Sequence, residues 1–188
     1  MPTLRFAVPE DAPALLAIYR QSIDTPVTFE GRTPTAEEFA ARMAGIGQRY
    51  PYLVAEEDGR PVGYAYSHAY RQREAYQWSA ELSVYVEKSC QGRGIGRQLY
   101  GALIRLARLQ KLENLYAWVT VPNRQSEGLH RVMGFKEVGV DRRAGFKAGR
   151  WQAVAIYVLR LGEDQPPRPF RPIGALPQEE VLQALQEA

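Results

Sequence analysis

Cysteine is nearly missing from this 188-residue chain. Cys90 stands alone, so no internal disulfide can form and a crosslinked, secreted scaffold is excluded. Histidine is almost as scarce: His68 and His130 are the only two, and with a single thiol they leave no metal site to expect. No stretch of about eighteen apolar residues occurs, so no membrane-spanning helix is expected. The opening MPTLRFAVPED lacks the basic-then-apolar layout of a secretory signal, and the expectation is a cytoplasmic protein. Charge of one sign is not in excess either: 24 Lys and Arg face 21 Asp and Glu, a net +3 that is too small for a nucleic-acid partner. A small anionic ligand fits that balance better.

What is present is a globular composition, 45% hydrophobic, enough for one domain with a sizeable core. Residues 1–162 read as that domain, and residues 163–188 as a proline-rich tail ending in a short helix with Val181, Leu182 and Leu185 on one side. Along the domain, LRFAV reads as a first strand, and the 3.6-residue period of Ala14, Leu15, Ile18 and Tyr19 as a helix. DTPVTFEGRTPT, without periodicity, is a loop long enough to bind something. Thr35 then caps a second helix with Glu37 and Glu38 in its first turn. Two β-rich runs meet at Asp58-Gly59, a hairpin signal, and WSAELSVYV alternates as a further strand. A helix from Ile95 to about Gln110, the strand NLYAWVTV, a short helix between Asn123 and Gly134, and two more strands complete the pattern.

The most informative stretch is VYVEKSCQGRGIGRQLYGAL, where a strand gives way to Gly92, Gly94 and Gly96 and then to a helix. Glycine clusters serve turns more often than phosphates, and this spacing fits neither the P-loop nor the dinucleotide fingerprint. It does offer bare amides at the positive end of a helix, flanked by Arg93 and Arg97, which suits a bound phosphate.

Gln91-x-x-Gly94-x-Gly96 after a strand resembles the pyrophosphate loop of the GNAT N-acetyltransferase superfamily, and VPNRQSEGLHRVMGF is similar to that superfamily's following strand and helix. Within it, AYQWSAELSVYV, LHRVMGF, AGFKAGRWQAV and the tail PPRP most resemble the phosphinothricin and methionine sulfone type of N-acetyltransferase. Two features depart from that pattern: Cys90 stands where a ring residue is expected, and Gly128 interrupts the short helix. The resemblance implies an α/β (α+β) GNAT fold, a mixed central sheet of about seven strands with flanking helices. It also implies acetyl-CoA as cofactor, held by Val84, Tyr85, Val86, Gln91, Gly92, Arg93, Gly94, Ile95, Gly96, Arg97, Asn123 and Ser126.

The chemistry implied is direct attack of an amine on the thioester. Strand alternation puts Glu81, Ser83 and Tyr85 on one face, and the resemblance makes Glu81 the base; the pattern alone is equally compatible with a solvated glutamate. Backbone N–H groups near Val84 to Val86 are the expected oxyanion donors. His130 falls where many relatives carry the tyrosine that protonates the leaving thiolate; a structural histidine is the alternative. Phe29, Arg71, Arg73 and Tyr76 are implied to contact the acceptor, with Phe146 and Trp151 as possible pocket walls. Two arginines suit a small amino acid with a second oxyanion or sulfonyl group. Other readings are a different amine acceptor (protein N-terminus, polyamine or aminoglycoside) or a non-catalytic acyl-CoA-binding module. A homodimer is expected.

Overall fold

The computed structural model describes residues 2–162 and 166–186. The strands are β1 (Thr3–Phe6), β2 (Tyr52–Glu57), β3 (Arg60–Ala69), β4 (Ser79–Val86), β5 (Asn114–Val121), β6 (Lys136–Lys147) and β7 (Arg150–Arg160). The helices are α1 (Ala12–Arg20), α2 (Ala36–Gly47), α3 (Ile95–Leu109), α4 (Arg124–Val132) and α5 (Gln178–Gln186). The strands form one seven-stranded sheet in the order β1-β2-β3-β4-β5-β7-β6.

Local chemistry sets the boundaries. The Thr35 hydroxyl accepts from the Glu38 N–H at 3.1 Å while the Glu38 carboxylate accepts from the Thr35 N–H at 2.8 Å, a capping box that starts α2. Asp58 and Gly59 both take positive φ, 51° and 74°, so the β2–β3 turn twists with its strands. Asn123 caps α4 by accepting from the Ser126 N–H, and Gly134, at φ 86°, ends the segment. Gly128 does not break α4, which runs unbroken through it.

Register decides where chemistry can occur. β4 and β5, joined by the α3 crossover, run parallel; the other pairs are antiparallel. Their pairing covers only Ser79↔Asn114, Ala80↔Leu115 and Glu81↔Tyr116. β4 stays paired with β3 as far as Val86, so from Leu82 onward its other edge faces a gap. Alternate backbone groups there have no strand partner.

Two cores flank the sheet. Leu99, Leu103, Leu106 and Ala107 of α3 pack on Leu82, Leu115 and Ala155, and on the opposite face α1 and α2 cover Tyr52, Val54 and Tyr64. The tail packs on the first core. The Trp78 indole N–H donates to the Arg168 carbonyl at 2.8 Å, and buried Gln110 donates to the carbonyls of Arg49 and Arg171 at 2.8 and 3.2 Å. In α5, Val181 and Leu185 face that core as expected, but Leu182 is turned out and half exposed; Ala184 is the buried residue, beneath a hydrogen bond from Arg105 to its carbonyl. The expected boundary after residue 162 falls on residues outside those described.

Candidate active site

A cleft of about 600 Å³ runs from the glycine turn to the gap between β4 and β5. Its walls include Val84, Tyr85, Val86, Gln91, Gly92, Gly94, Ile95, Gly96, Arg97, Asn123 and Ser126, eleven of the twelve positions expected to hold a cofactor. Arg93 is the exception: its guanidinium turns away to bridge the Glu57 carboxylate at 2.7 Å. Lys88 supplies a cation to the lining instead, and Cys90, buried, is a wall of the same cleft.

The turn is built to meet an anion. Gly92 and Gly94 sit at φ 77° and 84°, where a side chain is strained, and a Cβ at either would find no atom within 4 Å. Gly94 is the N-cap of α3 and has no side chain to occupy the helix's first amides, and the first turn carries no acidic residue. The cleft therefore presents free N–H groups, a helix dipole and two cations together. Those groups fit the diphosphate of a coenzyme A thioester.

A smaller cleft of about 80 Å³ opens where the strands part. Glu81, Tyr100 and His130 line it, and Val27, Val84, Tyr85, Asn123 and Ser126 line both clefts. Glu81 lies next to His68 across the β3–β4 pairing, its Oε1 3.9 Å from the imidazole Nε2. Burial pushes its carboxyl above the ordinary carboxylate range, and the charge of His68, when protonated, opposes that shift.

His130 is 2% exposed, and burial pulls its pKa down, so the ring is neutral near pH 7. Its Nδ1 lies 2.7 Å from the Ser126 carbonyl, which can only accept, so Nδ1 carries the proton. Nε2 is then an acceptor and takes the Tyr100 hydroxyl at 3.0 Å. The polar atom presented to the gap is thus Tyr100's oxygen, backed by His130.

The expected acceptor residues lie farther out. Arg71 covers the rings of Tyr70 and Tyr76 at 5.2 and 5.5 Å, and Tyr70 stacks at 4.0 Å on Tyr116, the strand neighbour of Glu81. Arg73 is exposed at the start of the turn containing Tyr76. Phe29 lies against Gly145. Phe146 and Trp151 pack on each other at 5.7 Å, 64% and 49% exposed; neither lines the two clefts, because both point outward from the β6–β7 hairpin.

Three contributors escape sequence reasoning. His68 is brought to Glu81 by hairpin register, and Tyr100 is turned toward the gap from within α3. Gln21 and Ser22 wall the large cleft just ahead of the loop DTPVTFEGRTPT, whose Thr25 joins them; only the length of that loop hints at binding.

A parallel strand pair splays beside a helix-capping glycine turn, with a carboxylate at the point of parting, an arrangement that can receive a coenzyme A thioester next to a titratable group. Residues 4–154 match the model of the acetyltransferase (GNAT) domain. The chain is 34% identical to phosphinothricin N-acetyltransferase of Streptomyces viridochromogenes, covering 90% of this chain and 93% of that one. It is 36% identical to the L-methionine sulfoximine/L-methionine sulfone acetyltransferase of Pseudomonas aeruginosa, over 85% and 94% of the two chains. Among solved structures, the GNAT superfamily phosphinothricin acetyltransferase of Sinorhizobium meliloti in complex with AcCoA superposes with a TM-score of 0.85 at 36% identity, covering 89% and 92%. The chain belongs to the GNAT acetyltransferase family, and it is an acetyl-CoA-dependent N-acetyltransferase. No described helix is long and apolar enough to cross a membrane.

Proposed function

We propose that this enzyme acetylates the amino group of a small, anionic amino-acid-like acceptor of the phosphinothricin, methionine sulfone or methionine sulfoximine type, with Glu81 as the base. One observation carries the reading. The strands part immediately after Glu81, and the small cleft holding this carboxylate shares a border with the cleft suited to the cofactor.

Acetyl-CoA, when bound, supplies an acetyl group activated as a thioester. The chain's own groups do the rest. Amides at the start of α3, with Lys88 and Arg97, would hold the diphosphate. Unpaired N–H groups of β4 beyond Leu82 would be the donors to the thioester oxygen. Glu81 takes the proton from the acceptor's ammonium, directly or through one water, leaving the lone pair free to attack. The single hydroxyl proton of Tyr100 goes to His130 Nε2, so the Tyr100 oxygen faces the gap as an acceptor; His130 serves by orienting that hydroxyl.

Arg71 and Arg73 favour an acceptor with negative charge and disfavour a polyamine. The names of the two curated relatives support the same class. Thiol release from acetyl-CoA tests this against phosphinothricin, methionine sulfoximine, methionine sulfone, spermidine and a peptide amine. At least one of the first three is expected to exceed the last two in kcat/KM by about tenfold or more, a difference of about 1.4 kcal/mol. A preference for spermidine or the peptide contradicts the assignment.

His68 supplies a second check. A base must be deprotonated, so activity rises with pH through the Glu81 titration. His68→Ala removes a charge that holds this pKa down, and the acid limb of kcat/KM is expected to move to higher pH. A limb that stays put, or moves lower, contradicts the role of Glu81.

The enzyme is taken as cytosolic, a reading supported by the lone Cys90 thiol, which suits a reducing compartment. It is also assigned as a homodimer: β6 is an edge strand that leaves Val138 and Val140 exposed.

A further inference from the structure

The segment between α1 and α2 borders both clefts. Gln21, Ser22 and Thr25 wall the large one, and Val27 lies where the two meet. Residues 21–35 contain neither helix nor strand. Local turns, the buried Ile23 side chain and a 2.7 Å hydrogen bond between Tyr19 and Thr28 hold part of it, and a further hold comes from more than a hundred residues away. At the end of β6, the Lys147 ammonium donates to three backbone carbonyls, Ile23 and Thr28 at 2.6 Å each and Glu30 at 2.9 Å. An ammonium has three protons, and three carbonyls from one loop use all of them.

Two residues before Lys147, Gly145 leaves a space that the Phe29 ring fills. A Cβ built on Gly145 would lie 2.5 Å from Phe29 Cε2 and 2.8 Å from Cδ2, closer than atoms can approach. Lys147 is itself braced, because buried Gln152 on β7 donates to its carbonyl at 2.9 Å. The two ends of the segment have other anchors. Gln21 accepts from the Lys88 N–H at 2.9 Å on the cofactor side, and Glu30 pairs with Arg42 of α2 at 2.7 Å. Lys147 and Gly145 therefore act on the middle, residues 23–30, which includes Val27 and Phe29.

We propose that Gly145 and Lys147 form a seat on β6 that fixes residues 23–30 over the junction of the two clefts and thereby sets how the acceptor is positioned. The acceptor part rests on the reading of the small cleft as the acceptor site. Lys147 and Gly145 are positioning residues: they line neither cleft and act through Val27 and Phe29.

The test has two readouts. Hydrogen exchange of the amides of residues 23–31 is compared in wild type and Lys147→Met, and steady-state kinetics follow acceptor and acetyl-CoA separately. Lys147→Met is expected to speed exchange in that segment about tenfold or more with β4 and α3 unchanged. It should also raise the acceptor KM about tenfold while the acetyl-CoA Kd moves less than threefold, because the diphosphate amides belong to residues 92–97, outside the segment that Lys147 holds. Unchanged exchange, or loosened exchange with unchanged acceptor kinetics, overturns the proposal.

Gly145→Ala provides a second route should Lys147→Met fail to fold. Its Cβ must push the Phe29 ring aside, so the acceptor KM is expected to rise in the wild-type background and not in Phe29→Ala, where the ring is gone. An equal rise in both backgrounds overturns the seat. Exchange is measured without substrates, so it judges the seat even if the acceptor panel finds no substrate and the functional reading itself fails.

Discussion

Glu81→Gln is expected to lower kcat by about 10²- to 10⁴-fold, the range for loss of a positioned general base, while acetyl-CoA binds with nearly unchanged affinity. The substitution keeps the size of the side chain and removes only its capacity to take a proton. The fold should tolerate it. Burial raises the Glu81 pKa, so its contribution to stability is complete below the unfolded carboxyl pKa and is lost as pH rises through the folded value. Above that value the ionised carboxylate is a cost, and a neutral amide removes that cost. The acid limb of the pH profile assigned to Glu81 should vanish with the charge. A variant that keeps wild-type kcat near neutral pH, with its limb intact, contradicts the assignment of the base.

Gly94→Val is expected to weaken acetyl-CoA binding by about 100-fold or more, about 2.7 kcal/mol. Two effects combine. Gly94 is at φ 84°, where a β-branched residue is strained, and its new side chain would stand in the open space in front of the first amides of α3. Strain alone would lower stability without touching the cofactor, so a control is needed. Gly59 provides it: φ is 74°, a Cβ again meets nothing within 4 Å, and the turn lies outside both clefts. Gly59→Val should cost similar stability and leave acetyl-CoA affinity intact. Calorimetric titration of both variants separates the effects, and equal losses of affinity would remove the glycine turn from cofactor binding.

Much of the fold is legible in the sequence because its signals are local. Thr35 with Glu38, Asp58 with Gly59, and Asn123 with Gly134 each act within a few residues, and each appears in the structure at the expected element boundary. The glycine turn is readable for the same reason: Gly92, Gly94 and Gly96 follow the strand whose end they serve. What escapes depends on register and on distant packing. Arg93 looks like a phosphate ligand beside two glycines, yet β2 ends within its reach and Glu57 takes it. The sequence leaves His130 open between an active-site and a structural residue, because the partner of its Nε2, Tyr100, lies thirty residues earlier. His68 and Glu81 are thirteen residues apart, and only the pairing of β3 with β4 sets them side by side. In the tail, apolar spacing marks the helix but misplaces Leu182, which is half exposed while Ala184 is buried.

The two clefts matter together. An anion held at α3 and a base beside Tyr116 would do nothing if β5 continued to cover the edge of β4. Three paired residues, followed by a gap, connect them.

A crystal structure of the enzyme with acetyl-CoA tests that connection most directly. The diphosphate is expected against the amides of residues 92–97, and the acetyl carbonyl in the gap beyond Leu82, on the path to Glu81. A diphosphate seated elsewhere, or an acetyl group on the side of β4 away from the small cleft, would contradict the account.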